Sequence, residues 1–261
     1  MISFKLSVRR SKMEEHRLQS NIQKIYWLNG SFCFMVLMPI IVPFFSNLGL
    51  DMKNVYPLQA IFAVFVLPFE VPSGYFSDLV GRKWSLVLAS TLHSLGYIIM
   101  ALAPNFLWLV ISEVVLAVSV SLFSGTDLSL LYDSLQALEK KKAAIKAVGR
   151  KVFYRNTGES IAGLVGGWLL LWHFEAPAVA QAMVGLVPLG IALTLYEPPR
   201  EKMSAKSHKE NFRYIWKSLF GHSRLLTFIF LTGVFYNFAP FISVWAFQSV
   251  RQERWIPIYF F

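Results

Sequence analysis

The sequence predicts an all-α membrane protein, and three observations carry that prediction. First, 55% of the 261 residues are hydrophobic and only 15% are charged, against about 25% charged in a soluble domain. Second, the apolar residues gather into runs of roughly 20, the length that crosses a bilayer as a helix. Third, the basic residues fall on alternate links between those runs, the pattern that fixes orientation in a membrane.

Seven runs stand out, at about 25–46, 58–77, 84–103, 106–134, 152–172, 176–196 and 223–250. The fourth and seventh are long enough to tilt or protrude. The first follows a charged arm of 24 residues, exceeds a signal-peptide core and has no small-residue cleavage site, so it is read as a retained span. "APN" at 103–105 and "HFE" at 173–175 make tight turns on one side. The paired prolines of "YEPPR", 196–200, stop the sixth run. A basic stretch follows, in which Phe212, Ile215, Trp216, Leu219 and Phe220 recur at helical spacing. It is expected to lie as an amphipathic helix on the membrane surface. The last apolar stretch, "WIPIYFF", has seven residues, about 10 Å at helical rise and far short of a span.

The net charge of +10 would suit nucleic acid, but its distribution does not. Of the 25 Lys and Arg, 22 sit in residues 1–24 and in the links after the second, fourth and sixth runs. These short, separated segments mark the cytoplasmic side, so nucleic acid is excluded as the expected partner. The lone cysteine, Cys33, permits no disulfide within the chain and no cysteine metal site. There is no phosphate-binding loop, zinc-type His cluster or nucleophile elbow. An enzyme is therefore not expected, nor is a cofactor or metal.

The link after the second run, "GYFSDLVGRKWS", carries Gly74, Asp78, Gly81, Arg82 and Lys83 in the pattern G-x3-D-x2-G-R-K. Gly74 would let a neighbouring helix approach closely, and Gly81 would permit a tight turn. In residue types, spacing, position and side, this link resembles the signature loop of the major facilitator superfamily. The resemblance extends over the whole chain. It implies a six-helix bundle over residues 25–196 behind an arm at 1–24, a linker at 197–222, and an incomplete second bundle at 223–261. It also implies that the loop latches two bundles on the cytoplasmic side and releases as the protein changes state.

Gly149, Gly158, Ala162, Gly163, Gly166 and Gly167 resemble a glycine-rich signature in helix 5 of the family's antiporters, with Ala162 and Gly163 in place of its glycine and proline. Read from the residues alone, they form a small-residue packing face. The family's arginine within helix 4 has no counterpart; Glu113 stands near its place.

Acidic groups within apolar runs are the remaining candidates, because such groups are costly in lipid and face a bundle interior or water. Glu70, Gly74 and Asp78 share one helix face by i, i+4, i+8 spacing. Glu113, Ala117, Ser121, Ser124 and Asp127 share another if the fourth run is one helix. Glu159 follows Arg155 by one turn, a spacing suited to a helix-end ion pair. Glu113 is the expected proton or cation site, with Glu70, Asp127 and Glu159 as further candidates; Asp127 and Asp133 are also expected in a gate network with Asp78. His93 and Asn29 are expected as hydrogen-bonded interior residues, Asn29 between helices.

The expected function is secondary transport of a small solute by alternating access, coupled to an ion or proton. The chain would be integral to the plasma (inner) membrane with its N-terminus cytoplasmic. Its expected partners are the lipid bilayer, a solute, a proton and a chain supplying the missing second bundle. The alternative is a truncated, transport-inactive fragment or a half-transporter that needs such a chain. The resemblance to efflux antiporters leaves direction open.

Overall fold

The computed structural model describes residues 2–50 and 52–199, together with Phe228 and Thr232; of the side chains, those of 2–11, 52, 67 and 71 are not described. The chain divides into two compact units, Met1–Lys202 and Met203–Phe261. In the second, Thr232 Oγ1 donates to the Phe228 carbonyl at 2.8 Å. The expected amphipathic helix, seventh run and eighth start otherwise lie outside the described residues.

The described residues are helical, without strands. In chain order they form α1 (Ile2–Phe32), a 3-10 turn (Met38–Ile40), α2 (Ile41–Asn47), α3 (Met52–Val80) and α4 (Arg82–Ala101). There follow α5 (Phe106–Phe123), α6 (Thr126–Ala137), a 3-10 turn (Lys141–Ala143), α7 (Ala144–Trp172), α8 (Ala176–Val184) and α9 (Leu186–Leu193). The charged arm thus belongs to α1 and is continuous with the start of the first apolar run.

The apolar runs are less regular than their composition suggests, and proline and glycine explain where. A proline lacks the N–H and clashes with the carbonyl four residues back. Pro39 and Pro43 therefore interrupt the first run, which is α1, a break at 33–37 and then short helices. Pro72 accompanies a 50° bend between Lys53–Glu70 and Pro72–Val80 in α3. Pro188 cannot continue from Val184, and α8 gives way to α9 there. Gly125, at φ +77°, separates α5 from α6. Left-handed backbone is cheap only for glycine.

Among the described residues, Arg82–Ala101, Phe106–Ala137 and Ala176–Leu193 are long and apolar enough to cross a membrane, and the bent α3 makes a fourth. The first and fifth runs do not meet that standard as single apolar helices. The fifth is a correction of register as much as of length: α7 begins at Ala144, so Lys146, Arg150, Lys151 and Arg155 lie on the helix rather than in a link.

The core gathers Ile25, Leu28 and Phe32 of α1, Leu86 and Ala89 of α4, Leu122 of α5 and Leu130 and Leu131 of α6. The outside is also apolar: Trp27, Leu107, Leu164 and Trp172 are exposed. A surface of this kind suits lipid rather than water.

α7 docks on α1 and on the break that follows it through its small residues. A Cβ at Gly158 would run into the Gly30 carbonyl, and one at Gly166 into the Val36 carbonyl. Ala162 between them is fully buried. Gly163 lies off this line, with only Pro39 Cγ at 3.9 Å, and Gly167 is half-buried. Tyr26 and Trp27 close the contact against Tyr154, with ring centroids 5.5 and 5.2 Å apart.

Candidate functional site

The charged link forms a network at one end of the helices. α3 ends at Val80, and Gly81, at φ +126°, turns the chain into α4. The start of α4 exposes unbonded N–H groups, a natural seat for an anion. Glu197 takes it, accepting from the Arg82 amide at 2.9 Å and the Lys83 amide at 2.7 Å. A Cβ at Gly81 would come within 3.2 Å of that carboxylate, so glycine serves both the turn and the cap.

Arg82 then joins three elements. Its Nη2 lies 2.7 Å from Asp78 Oδ1, its Nε 3.4 Å from Asp133 Oδ2, and its Nη1 donates to Ser77 Oγ at 3.0 Å. The expected link of Asp133 to Asp78 is therefore made through Arg82. Two expectations are corrected. Lys83 turns its ammonium over its neighbour Trp84, 5.6 Å from the ring centroid, a cation–π contact outside the network. Gly74 is exposed, and a Cβ there would meet nothing within 4 Å, so among the described residues no helix uses its missing side chain.

The four candidate acids do not converge. Glu113 is 4% exposed on α5 and accepts from Gln59 Nε2 of α3 at 3.1 Å; no ion pair reaches it among the described residues. Tyr97 of α4 lies within electrostatic reach of it. Asp127 is not on the Glu113 face, because the Gly125 break starts a new helix. It sits in the first turn of α6, accepts from the Leu128 amide at 2.7 Å and pairs with Lys151 Nζ of α7 at 2.6 Å. Both side chains are largely out of solvent, at 5% and 14% exposure. Asp127 thus belongs to a second ion pair, not to the Asp78 network.

Glu70 is exposed, with Ser124 Oγ donating to its Oε1 at 3.4 Å. Glu159 is exposed beside Arg155, and the two form no ion pair despite their spacing. Exposed polar residues at these places in apolar runs are suited to a watered face, not to lipid. His93 is buried as expected, but neither ring nitrogen has a hydrogen-bond partner among the described residues. Asn29 bonds the Ile25 carbonyl of its own helix at 3.0 Å, not another helix. Among the described residues no three His, Cys, Asp or Glu side chains could share a metal ion.

Sequence reasoning missed Gln59, Lys151 and Glu197. Gln59 is an amide within an apolar run, and Glu197 is the acid just before two prolines; each signal was present. Lys151 was hidden by the misplaced start of α7. Asn21 was missed too. It is buried on α1, donates to the Tyr196 carbonyl at 2.6 Å and to Ser134 Oγ at 3.3 Å, and accepts from the Tyr196 amide at 2.9 Å. It thereby ties the segment carrying Glu197 to α1.

No curated protein matches the chain. The family model of the Major Facilitator Superfamily matches residues 27–260, covering the charge network, the buried Glu113 and the α1–α7 contact. The chain belongs to the Major Facilitator Superfamily, a family of membrane transporters.

Proposed function

We propose that this chain moves a small solute by alternating access and couples that movement to protons through Glu113. One observation carries the coupling: a carboxyl almost wholly buried in an apolar run, with an amide as hydrogen-bond donor and, among the described residues, no ion-paired cation. An ionised carboxylate there would lack a counter-charge in low dielectric, which favours reversible protonation as the solute site changes its exposure. The Gln59 amide can donate to either form of the acid.

In this reading the Arg82 network is a gate at the cytoplasmic end. Asp78, Asp133 and the α4 cap hold four chain segments together, and breaking those contacts would free them. The exposed polar positions Glu70, Ser124 and Glu159 line the solute path. The distribution of the basic residues supports a cytoplasmic N-terminus, and the membrane in this reading is the plasma (inner) membrane.

The test is purified chain in proteoliposomes under an imposed pH gradient, with a panel of labelled solutes. Gradient-dependent uptake or release is expected. Glu113→Gln is expected to lower gradient-driven movement by at least about tenfold, the equivalent of 1.4 kcal/mol, while solute exchange without a gradient persists. Equal loss of both would refute coupling at Glu113. Movement no greater than in empty liposomes across the panel would favour a half-transporter that needs a further chain.

A further inference from the structure

One face of α1 holds the segment that leaves α9. Arg17, Asn21 and Lys24 stand at i, i+4 and i+7 on α1, so they share that face. Lys24 Nζ donates at 2.7 Å to the Thr194 carbonyl, at the C-terminal end of α9 where a cation is favoured. The Arg17 guanidinium lies over the Tyr196 ring, 5.6 Å from its centroid. Asn21, between them and 0% exposed, bonds both backbone polar atoms of Tyr196, its Nδ2 to the carbonyl and its Oδ1 to the amide. The same Nδ2 reaches Ser134 Oγ of α6.

The residues next to these partners serve the Arg82 network. Glu197 follows Tyr196 and accepts from the Arg82 and Lys83 amides. Asp133 precedes Ser134 and lies against Arg82 Nε. Two relays, each one peptide unit long, thus run from Asn21 to the start of α4. Among the described residues no hydrogen bond joins Asn21 to Arg82 or Lys83 directly. The relay through Tyr196 is stiff. Its residue is bonded at both polar atoms, and Glu197 precedes Pro198, which confines the Glu197 backbone to extended conformations. With both fixed, the carboxylate has few directions in which to leave the chain. Without Asn21, the Tyr196 N–H and C=O lose their partner, a cost the segment relieves by shifting toward water.

We propose that Asn21 is a positioning residue for the Arg82 network: through Tyr196 and Ser134 it sets the two carboxylates, Glu197 and Asp133, that hold the start of α4. The charged arm of α1 is thereby coupled to the cap on α4. Only the consequence for solute movement rests on the gate reading above.

Hydrogen exchange of the full chain in lipid nanodiscs, read amide by amide, tests the coupling. The first amides of a helix have no acceptor within it, so protection of the Arg82 and Lys83 amides reports Glu197. Asn21→Leu is expected to speed exchange at both by about tenfold or more, and at Tyr196 with them, while the middle of α4 stays protected. Glu197→Ala is expected to speed Arg82 and Lys83 and to leave Tyr196 protected. The double variant is expected to exchange at Arg82 and Lys83 within about twofold of Glu197→Ala, because both changes act through one carboxylate. Lys24→Met frees the same segment at Thr194 and is expected to give a rise of about threefold; it covers the case in which Asn21→Leu does not fold. A rise confined to Tyr196, a rise spread over all of α4, or a double variant faster than that limit would each overturn the proposal. So would an unchanged rate at Arg82 and Lys83 in Asn21→Leu, or in Lys24→Met should Asn21→Leu not fold. Exchange is read without solute, so faster exchange in Asn21→Leu with solute movement unchanged would uphold the coupling and overturn the gate reading instead.

Discussion

At the scale of single residues, the same charge has different consequences in different surroundings. Arg82 is partly exposed and shares its guanidinium among Asp78, Asp133 and Ser77. Losing one of those partners leaves others, and water, to compensate. Lys151 and Asp127 have no such reserve. Lys151→Met would leave a carboxylate buried without its cation, a change that costs about 3–5 kcal/mol. Chemical denaturation of the purified variant should read that loss. Adding Asp127→Leu should recover most of it, since an apolar pair replaces a buried ion pair at little cost. An equal loss in both variants would mean that the pair contributes by packing alone.

At the scale of elements, small residues decide how closely helices approach. Gly158, Ala162 and Gly166 recur every four residues, so they fall on one line of α7, and that line meets the Gly30 carbonyl of α1 and the Val36 carbonyl of the break that follows it. Gly163 lies one position off the line. Gly166→Ala should therefore force the helices apart and destabilise by about 1–3 kcal/mol, while Gly163→Ala should change stability by less than about 0.5 kcal/mol or raise it through helix propensity. Thermal melts of the two variants side by side give the comparison. Gly125 is a different case. Its positive φ makes Gly125→Ala costly by about 1 kcal/mol, although nothing crowds it.

For the molecule as a whole, the alternating basic links make a topological prediction. In a chain carrying Cys33→Ala, a cysteine introduced at the exposed Lys141 should react with an impermeant thiol reagent only from the cytoplasmic side. One at the exposed Glu175 should react only from the other. Labelling of both from one face would remove the orientation and, with it, the placement of the Arg82 network at the cytoplasmic end.

Much of this protein was legible in its residues. Apolar runs of bilayer length determine that the described chain is helical, because backbone in lipid must satisfy its own hydrogen bonds. The G-x3-D-x2-G-R-K spacing determines the turn at Gly81 and places Asp78 four residues before Arg82, across that turn, since both are local relations along the chain. The family followed from those residues. What the sequence left open were contacts between residues distant in the chain: Glu197 on the start of α4, Lys151 on Asp127, Gln59 on Glu113, and Asn21 on Tyr196. Helical periodicity says which residues share a face, but not which helix that face meets. Breaks at Pro39 and Gly125 also rotate whatever follows them, so Asp127 left the Glu113 face and the first run ceased to be one helix. Only the tertiary structure could decide these pairings, because they depend on how the helices cross, and that is set by the sum of many packing contacts rather than by any local pattern.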